Sequence, residues 1–215
     1  MTSRRGLVGV GAFVAFLGLG LLVAHSAPSP FDLSAESERG RLPALALFLT
    51  HAGLFPTYFT ICVLALVFGA VRRAYLPAAS ILVAEILLAW FASDAFKAIF
   101  RRARPEFYYS IHETSYSYAS GHATLSLACY GFIAYVLWQA PVGLGLKRVL
   151  TIALGIWVLG IGWSRLALGA HFPSDLIGGY FLALAILTIA TAAYDRVTLA
   201  TGRQRKFAER RRDGE

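Results

Sequence analysis

The chain has 215 residues, 57% of them hydrophobic and only 15% charged, with a formal net charge of +8. That apolar share exceeds what an ordinary soluble domain carries, and the length suits a single domain embedded in a membrane. The positive charge does not mark a nucleic-acid binder, because its densest run, Arg203 to Arg212, directly follows the last apolar segment, where a cytoplasmic anchor belongs.

A bilayer core about 30 Å thick takes roughly 20 helical residues per crossing, and six apolar stretches of suitable length follow one another. The first, near 6–24, comes after Arg4-Arg5 and before the small residues Ala24 to Pro28, so it partly imitates a secretory signal peptide. It is too long for a typical one, and Pro28 is a poor neighbour for a cleavage site, so it is read as a retained span. The second, 44–71, exceeds one crossing and carries Pro43, His51 and Pro56. Its first part is expected to lie in the outer interface or to tilt.

The remaining stretches are 75–98, 121–140, 148–166 and 174–195. The expected architecture is an all-α polytopic bundle of six helices over residues 1–196, with a basic cytoplasmic tail at 197–215. No alternating pattern or Asn-Gly hairpin signal recurs, which argues against a membrane β-barrel. Cys62 and Cys129 fall inside apolar stretches without CxxC spacing and read as buried small hydrophobes, with no disulfide or metal implied.

Arg4-Arg5, Arg72-Arg73, Lys147-Arg148 and the basic tail fall on one side of this layout, which assigns that side and both termini to the cytoplasm. The other side receives the loops at 25–43, 99–120 and 166–173. With them come three polar blocks: Lys97 to Pro105 (KAIFRRARP), Ser120-Gly121-His122, and Ser164 to Asp175 (SRLALGAHFPSD). Such groups are expensive near lipid, and their recurrence at the ends of apolar segments is the strongest functional signal in the chain. Arg101 and Arg102 fit headgroup anchoring as well as anion binding. Lys97, Arg104 and Arg165 each belong to a spaced block and read as ligands for an anion.

In the third block, Arg165 ends one helix and His171 to Asp175 opens the next, so the short loop between them puts both groups at one membrane face. A carboxylate within a turn of an imidazole orients it: one nitrogen donates to Asp175, leaving the other as nucleophile or base. In the second block, Gly121 permits close backbone approach and free amides at the helix start favour an anion. Ser120 serves either as a cap or as a donor to a phosphate oxygen, and His122 is placed to protonate a leaving oxygen. Arg104 and Arg165 suit bidentate contacts with phosphate while Lys97 adds a point charge. Together they match the charge of a phosphoryl group in transfer, and no metal or other cofactor is needed.

In order and spacing these blocks resemble the three motifs of the type 2 phosphatidic acid phosphatase (PAP2) family of membrane lipid phosphatases. The signature spans about 80 residues and is specific in combination, although each block alone is weak. One departure is visible: Ala119 precedes Ser120 where the family motif usually has proline. The resemblance implies that His171 attacks phosphorus to form a phosphohistidine, that Asp175 orients it, and that His122 serves the leaving group and then the water. It implies that Lys97, Arg104, Ser120, Gly121 and Arg165 hold the phosphate oxygens, and that the site opens at the outer face of a plasma membrane. By resemblance to small bacterial members the first substrate is undecaprenyl diphosphate; phosphatidylglycerol phosphate, phosphatidic acid and lipid A phosphate are alternatives. The partners are then a lipid substrate and the bilayer.

Two other classes compete. A lipid-binding or transport protein would need the cations but not a nucleophile oriented by Asp175, and a vanadate-dependent peroxidase sharing the oxyanion motifs would be expected to look soluble. Among the remaining polar residues, Asp94 is expected to pair with Lys97 one turn away, while Glu85 fits an interhelical contact. Tyr108, Tyr109, Tyr116 and Tyr118 read as an interfacial belt beside His112 and Glu113, and His25 and His51 as interfacial bystanders.

Overall fold

The computed structural model describes residues 2–106 and 114–212, with side chains from 4 to 106 and from 114 to 200. The loop residues Tyr108, Tyr109, His112 and Glu113 lie outside the described residues. All regular structure described is helical: α1 (Thr2–Val23), α2 (Pro30–Leu33), α3 (Pro43–Ala52), α4 (Phe55–Val71), α5 (Leu76–Phe100), α6 (Gly121–Gln139), α7 (Leu144–Ala167) and α8 (Pro173–Arg212). Among the described residues, five helices are long and apolar enough to cross a membrane. The pair α3 and α4, bent by 45° at the break between them, makes a sixth. The protein is a multi-pass membrane protein.

Each break follows from local chemistry. Pro43, Pro56 and Pro173 stand in first turns, where a missing N–H costs nothing. The long second apolar stretch divides at Gly53 and Leu54, and α3 docks on α7 near the end of the bundle while α4 packs on α5. The break lies where the chain passes close to its neighbours: a Cβ at Gly53 would come within 2.5 Å of the His122 ring and 2.7 Å of Ile161. The last helix continues to Arg212, well past the apolar run.

The bundle is organised about α8 and α6. The first of these packs on α1, α6 and α5, and the second on α8, α7 and α5. Their shared core includes Phe16, Leu82, Ile86, Leu125, Phe132, Ile161, Leu182 and Ile186. Outward faces stay apolar, with Leu64, Val67, Ile152, Ile156 and Leu159 largely exposed, as lipid-facing positions should be. Glu85 is 3% exposed, and neither carboxylate oxygen has a hydrogen-bond partner among the described residues; nothing in the structure explains it.

Tyr118 corrects the expected interfacial belt. It is fully buried, stacked on Phe16 with centroids 5.5 Å apart, and its hydroxyl donates to the Phe16 carbonyl at 2.6 Å. The ring occupies space left by Gly178, where a Cβ would approach it to 2.4 Å. The segment leading into α6 is thereby clamped between α1 and α8.

The α4–α5 and α6–α7 connections share one end of the bundle, and the α1–α3, α5–α6 and α7–α8 connections share the other. At the first end Arg5 donates to Asp195 at 2.5 Å and to Tyr135 at 3.1 Å, and the Tyr135 hydroxyl donates to Asp195 at 2.5 Å. This cluster ties α1, α6 and α8 together far from the polar blocks. Both charged side chains are over one-third exposed, so the pair is worth at most about 1 kcal/mol. Asp195→Asn should lower the thermal midpoint of the detergent-solubilised protein slightly and leave its oxyanion affinity unchanged, as calorimetry would read.

Candidate active site

The three polar blocks converge at the second end of the bundle, together with residues from the first third of the chain. His171 lies in the α7–α8 connection and is 4% exposed. Its Nδ1 is 3.3 Å from Ser117 Oγ and 3.5 Å from Asp175 Oδ2, while Ser117 donates to that same carboxylate oxygen at 2.5 Å. The expected imidazole–carboxylate link is therefore shared with a serine. Nδ1–H donates to Ser117, Ser117 donates to Asp175, and the Nε2 lone pair is left for chemistry.

Arg104 Nη1 lies 3.2 Å from that Nε2. The guanidinium is held by the carbonyls of Ala170, Ser115 and Tyr116 and by the Ser115 hydroxyl. Burial first, then the positive charges of Arg104, Arg165 and Lys97, hold the His171 pKa well below the ordinary imidazole value. The ring is neutral at pH 7.

Asp175 is fully buried, and Arg102 is the group that makes this tolerable. Arg102 is 3% exposed and donates to Asp175 Oδ1 at 2.5 Å, to Ser174 Oγ at 2.7 Å and to Asp32 Oδ2 at 2.8 Å. Its guanidinium also lies over the Phe172 ring, 4.6 Å from the centroid. Both expectations for Arg102 are corrected: its guanidinium is engaged by Asp32, Ser174 and Asp175 inside the protein and serves neither as a headgroup anchor nor as a ligand for an external anion. Arg101 is exposed and donates to the Ala98 carbonyl.

Asp32 is the N3 residue of a short capping box begun by Ser29. It is 1% exposed and accepts both the backbone N–H of Ser174 and the Ser174 hydroxyl. Burial opposes its ionisation, but the Ser174 hydrogen bond and the charge of Arg102 outweigh burial and hold its pKa below the ordinary carboxylate value.

His122 opens α6, and its Nε2 lies 3.2 Å from both the carbonyl and the hydroxyl of Thr50. A carbonyl only accepts, so this contact places the proton on Nε2. Arg165, 1% exposed, donates Nη1 to the same Thr50 hydroxyl at 2.5 Å. Thr50 thus joins the histidine of the second block to the arginine of the third.

Ser120 stands at the N-cap of α6 without capping it, and its buried hydroxyl has no partner among the described residues. Its backbone N–H donates to the Asp175 carbonyl at 3.1 Å. Lys97 and Gly121 are neighbours, the ammonium lying 3.7 Å from where a Cβ on Gly121 would sit. Asp94 is exposed on α5, as is His51, whose Nδ1 lies 2.6 Å from the Leu47 carbonyl. The Tyr118–Ala119 peptide is cis.

All eight residues singled out by the motifs therefore gather at one end of the bundle. Four others belong with them: Asp32, Thr50, Arg102 and Ser117. Local signals for them were faint: a Ser-x-x-Asp capping pattern before Asp32, a polar Thr50-His51 pair inside an apolar run, and an extra arginine in the first block.

The model of the PAP2 superfamily matches residues 74–199 of this chain. The chain belongs to the PAP2 superfamily. Among curated PAP2-type relatives, phosphatidylglycerophosphatase B of Bacillus subtilis (strain 168) is 33% identical over 97 residues, covering 45% of this chain and 48% of that protein. Phosphatidylglycerophosphatase B of Escherichia coli (strain K12) is 36% identical over 87 residues, 40% of this chain and 32% of that protein. The matched region thus spans about half or less of these relatives. The crystal structure of a transmembrane PAP2-type phosphatidylglycerolphosphate phosphatase from Bacillus subtilis superposes with a TM-score of 0.80, over 88% of this chain and 96% of that one. At 23% identity this is a likeness of fold. Asp32 and Thr50 both lie before the residues that the PAP2 model matches.

Two substitutions test the supporting contacts. A depressed folded-state pKa means that ionised Asp32 stabilises the fold above the unfolded carboxylate pKa of about 3.9, and that this is lost as pH falls through the lower folded value. Asp32→Asn should therefore destabilise at pH 7 by roughly 3 kcal/mol, as for one broken partner of a buried pair. Thermal unfolding should show the gap between variant and wild type closing below about pH 4. Thr50→Val should weaken orthovanadate binding about tenfold by calorimetry, since Arg165 and His122 lose a shared hydroxyl, whereas Thr50→Ser should retain affinity.

Proposed function

We propose that this protein hydrolyses a lipid phosphate through a phosphohistidine on His171, and the observation that carries the proposal is the state of that ring. Its proton is committed on Nδ1 toward Ser117 and Asp175, its Nε2 lone pair faces Arg104, and its pKa is depressed, so the nucleophilic form prevails at neutral pH. A site built only to hold phosphate has no use for a neutral, oriented imidazole beside its cations.

In the first step Nε2 attacks phosphorus, the bond from phosphorus to the lipid oxygen breaks, and His122, protonated at both nitrogens beside the bound phosphate's negative charge, delivers a proton to that oxygen and becomes neutral. In the second, His122 takes a proton from water, the water oxygen attacks phosphorus, and the phosphorus–nitrogen bond breaks to release inorganic phosphate and free His171. Lys97, Arg104, Arg165, Ser120 and the backbone at Gly121 hold the oxygens whose charge grows in both transition states. Proton transfer and nucleophile come from side chains, and charge stabilisation comes from side chains together with the backbone at the start of α6.

The reading of the substrate combines two supports. The curated relatives are named for phosphatidylglycerol phosphate, and a cavity of about 620 Å³ adjoins Arg104, lined by His25, Glu36, Arg39, Arg101 and Phe172 among others. Arg101 stands beside the phosphate site with Arg39, which pairs with Glu36 at 3.3 Å, while Glu106 lines the same cavity; on this reading Arg101 takes a second phosphate group of the lipid. Phosphatidylglycerol phosphate and undecaprenyl diphosphate meet that requirement; phosphatidic acid does not. The positive-inside bias of Arg72-Arg73 and Lys147-Arg148 supports an outward-facing site in a plasma membrane, with both termini cytoplasmic.

The test is phosphate release by purified protein in detergent from these three lipids in parallel. Turnover is expected on the two lipids with a second phosphate, with phosphatidic acid slower, and a loss of at least 1,000-fold in His171→Ala, on the order seen when a covalent nucleophile is removed. The acid limb of kcat/KM should lie below pH 6.5 for both lipids, because the depressed His171 pKa keeps the ring neutral to lower pH. Retained turnover in His171→Ala would sink the covalent mechanism.

A further inference from the structure

Ser93 lies on α5 one helical turn before Lys97, 3% exposed, and its hydroxyl has no hydrogen-bond partner among the described residues. Serine and threonine inside apolar helices ordinarily return the hydroxyl to a carbonyl of the preceding turn. Thr124, Ser126, Ser164, Thr188 and Thr191 all do so in this protein. Ser93 does not.

Its hydroxyl faces the start of α6 instead. The point where a Cβ on Gly121 would sit is 3.4 Å from Ser93 Oγ and 3.7 Å from Lys97 Nζ, so hydroxyl and ammonium border the same hollow. Ser120, the residue before Gly121, carries a second buried hydroxyl without a partner. Buried hydroxyls left unpaired are costly, and here they sit beside a lysine at the N-terminus of a 19-residue helix.

We propose that Ser93 is a further ligand for the substrate's phosphate, donating its hydroxyl to a nonbridging oxygen seated over Gly121. This rests on the reading of the site as a lipid phosphatase and extends it beyond the motif residues. Ser93 stands about 6 Å deeper along α5 than Lys97, four residues at 1.5 Å each. The phosphate is thereby gripped from the bilayer side as well as from the loops, and its lipid is drawn down against the bundle.

The test compares wild type with Ser93→Ala and Ser93→Cys by orthovanadate calorimetry, inorganic phosphate inhibition of lipid turnover, and thermal midpoint without ligand. Alanine removes the donor, and cysteine keeps the volume with a much weaker donor. Both should weaken orthovanadate and phosphate binding roughly 5- to 30-fold, the range for one hydrogen bond to a charged acceptor, with the ligand-free midpoint unchanged or raised. Orthovanadate affinity within twofold of wild type in both variants would overturn the assignment, as would a loss matched by a fall in the ligand-free midpoint. Calorimetry needs no turnover, so wild-type protein that binds orthovanadate but hydrolyses no lipid refutes the phosphatase reading and leaves Ser93 as an oxyanion ligand. Wild-type protein that binds neither anion overturns both.

Discussion

The arrangement depends on one buried guanidinium. Arg102 lies between Asp32 and Asp175, both nearly or wholly inaccessible, and donates to both, so removing it would leave two buried carboxyl groups without their cation. Through Asp175 the hydrogen bonds run on to Ser117 and then His171, so the orientation of that ring begins three links away, at Arg102. Ser174 closes the loop by bonding both Arg102 and Asp32, which fixes the first turn of α8 to the loop after α1.

This explains why the bundle is built around its last helix. Residue pairs that face one another across the site are some 70 to 140 positions apart in the chain, and α8 touches most of the elements that carry them. The PAP2 motifs supply the reactive groups. The segment before them, through Asp32 and Thr50, supplies partners that hold His122, Arg165 and Arg102 in place.

Much of this was legible in the sequence, for a physical reason. Lipid demands long apolar runs, so six spans could be counted, and anions demand cations at fixed spacing, so Lys97, Arg104 and Arg165 stood out. Pairings across the bundle leave no such mark. Asp32 looks like an ordinary loop carboxylate, Arg102 like one more interfacial cation, and Tyr118 like one of several loop aromatics. Thr50 was overshadowed by its neighbour His51, yet the threonine is buried at the site and the histidine faces outward. The bend at Gly53 likewise lies beside the His122 ring and Ile161, contacts that no local pattern encodes.

The contact between Arg104 and His171 carries a consequence for the idle protein. The Nε2 lone pair of His171 is covered by an N–H of Arg104. On the proposed mechanism that N–H moves aside before Nε2 bonds phosphorus, so one guanidinium would serve the resting ring first and the phosphate afterwards.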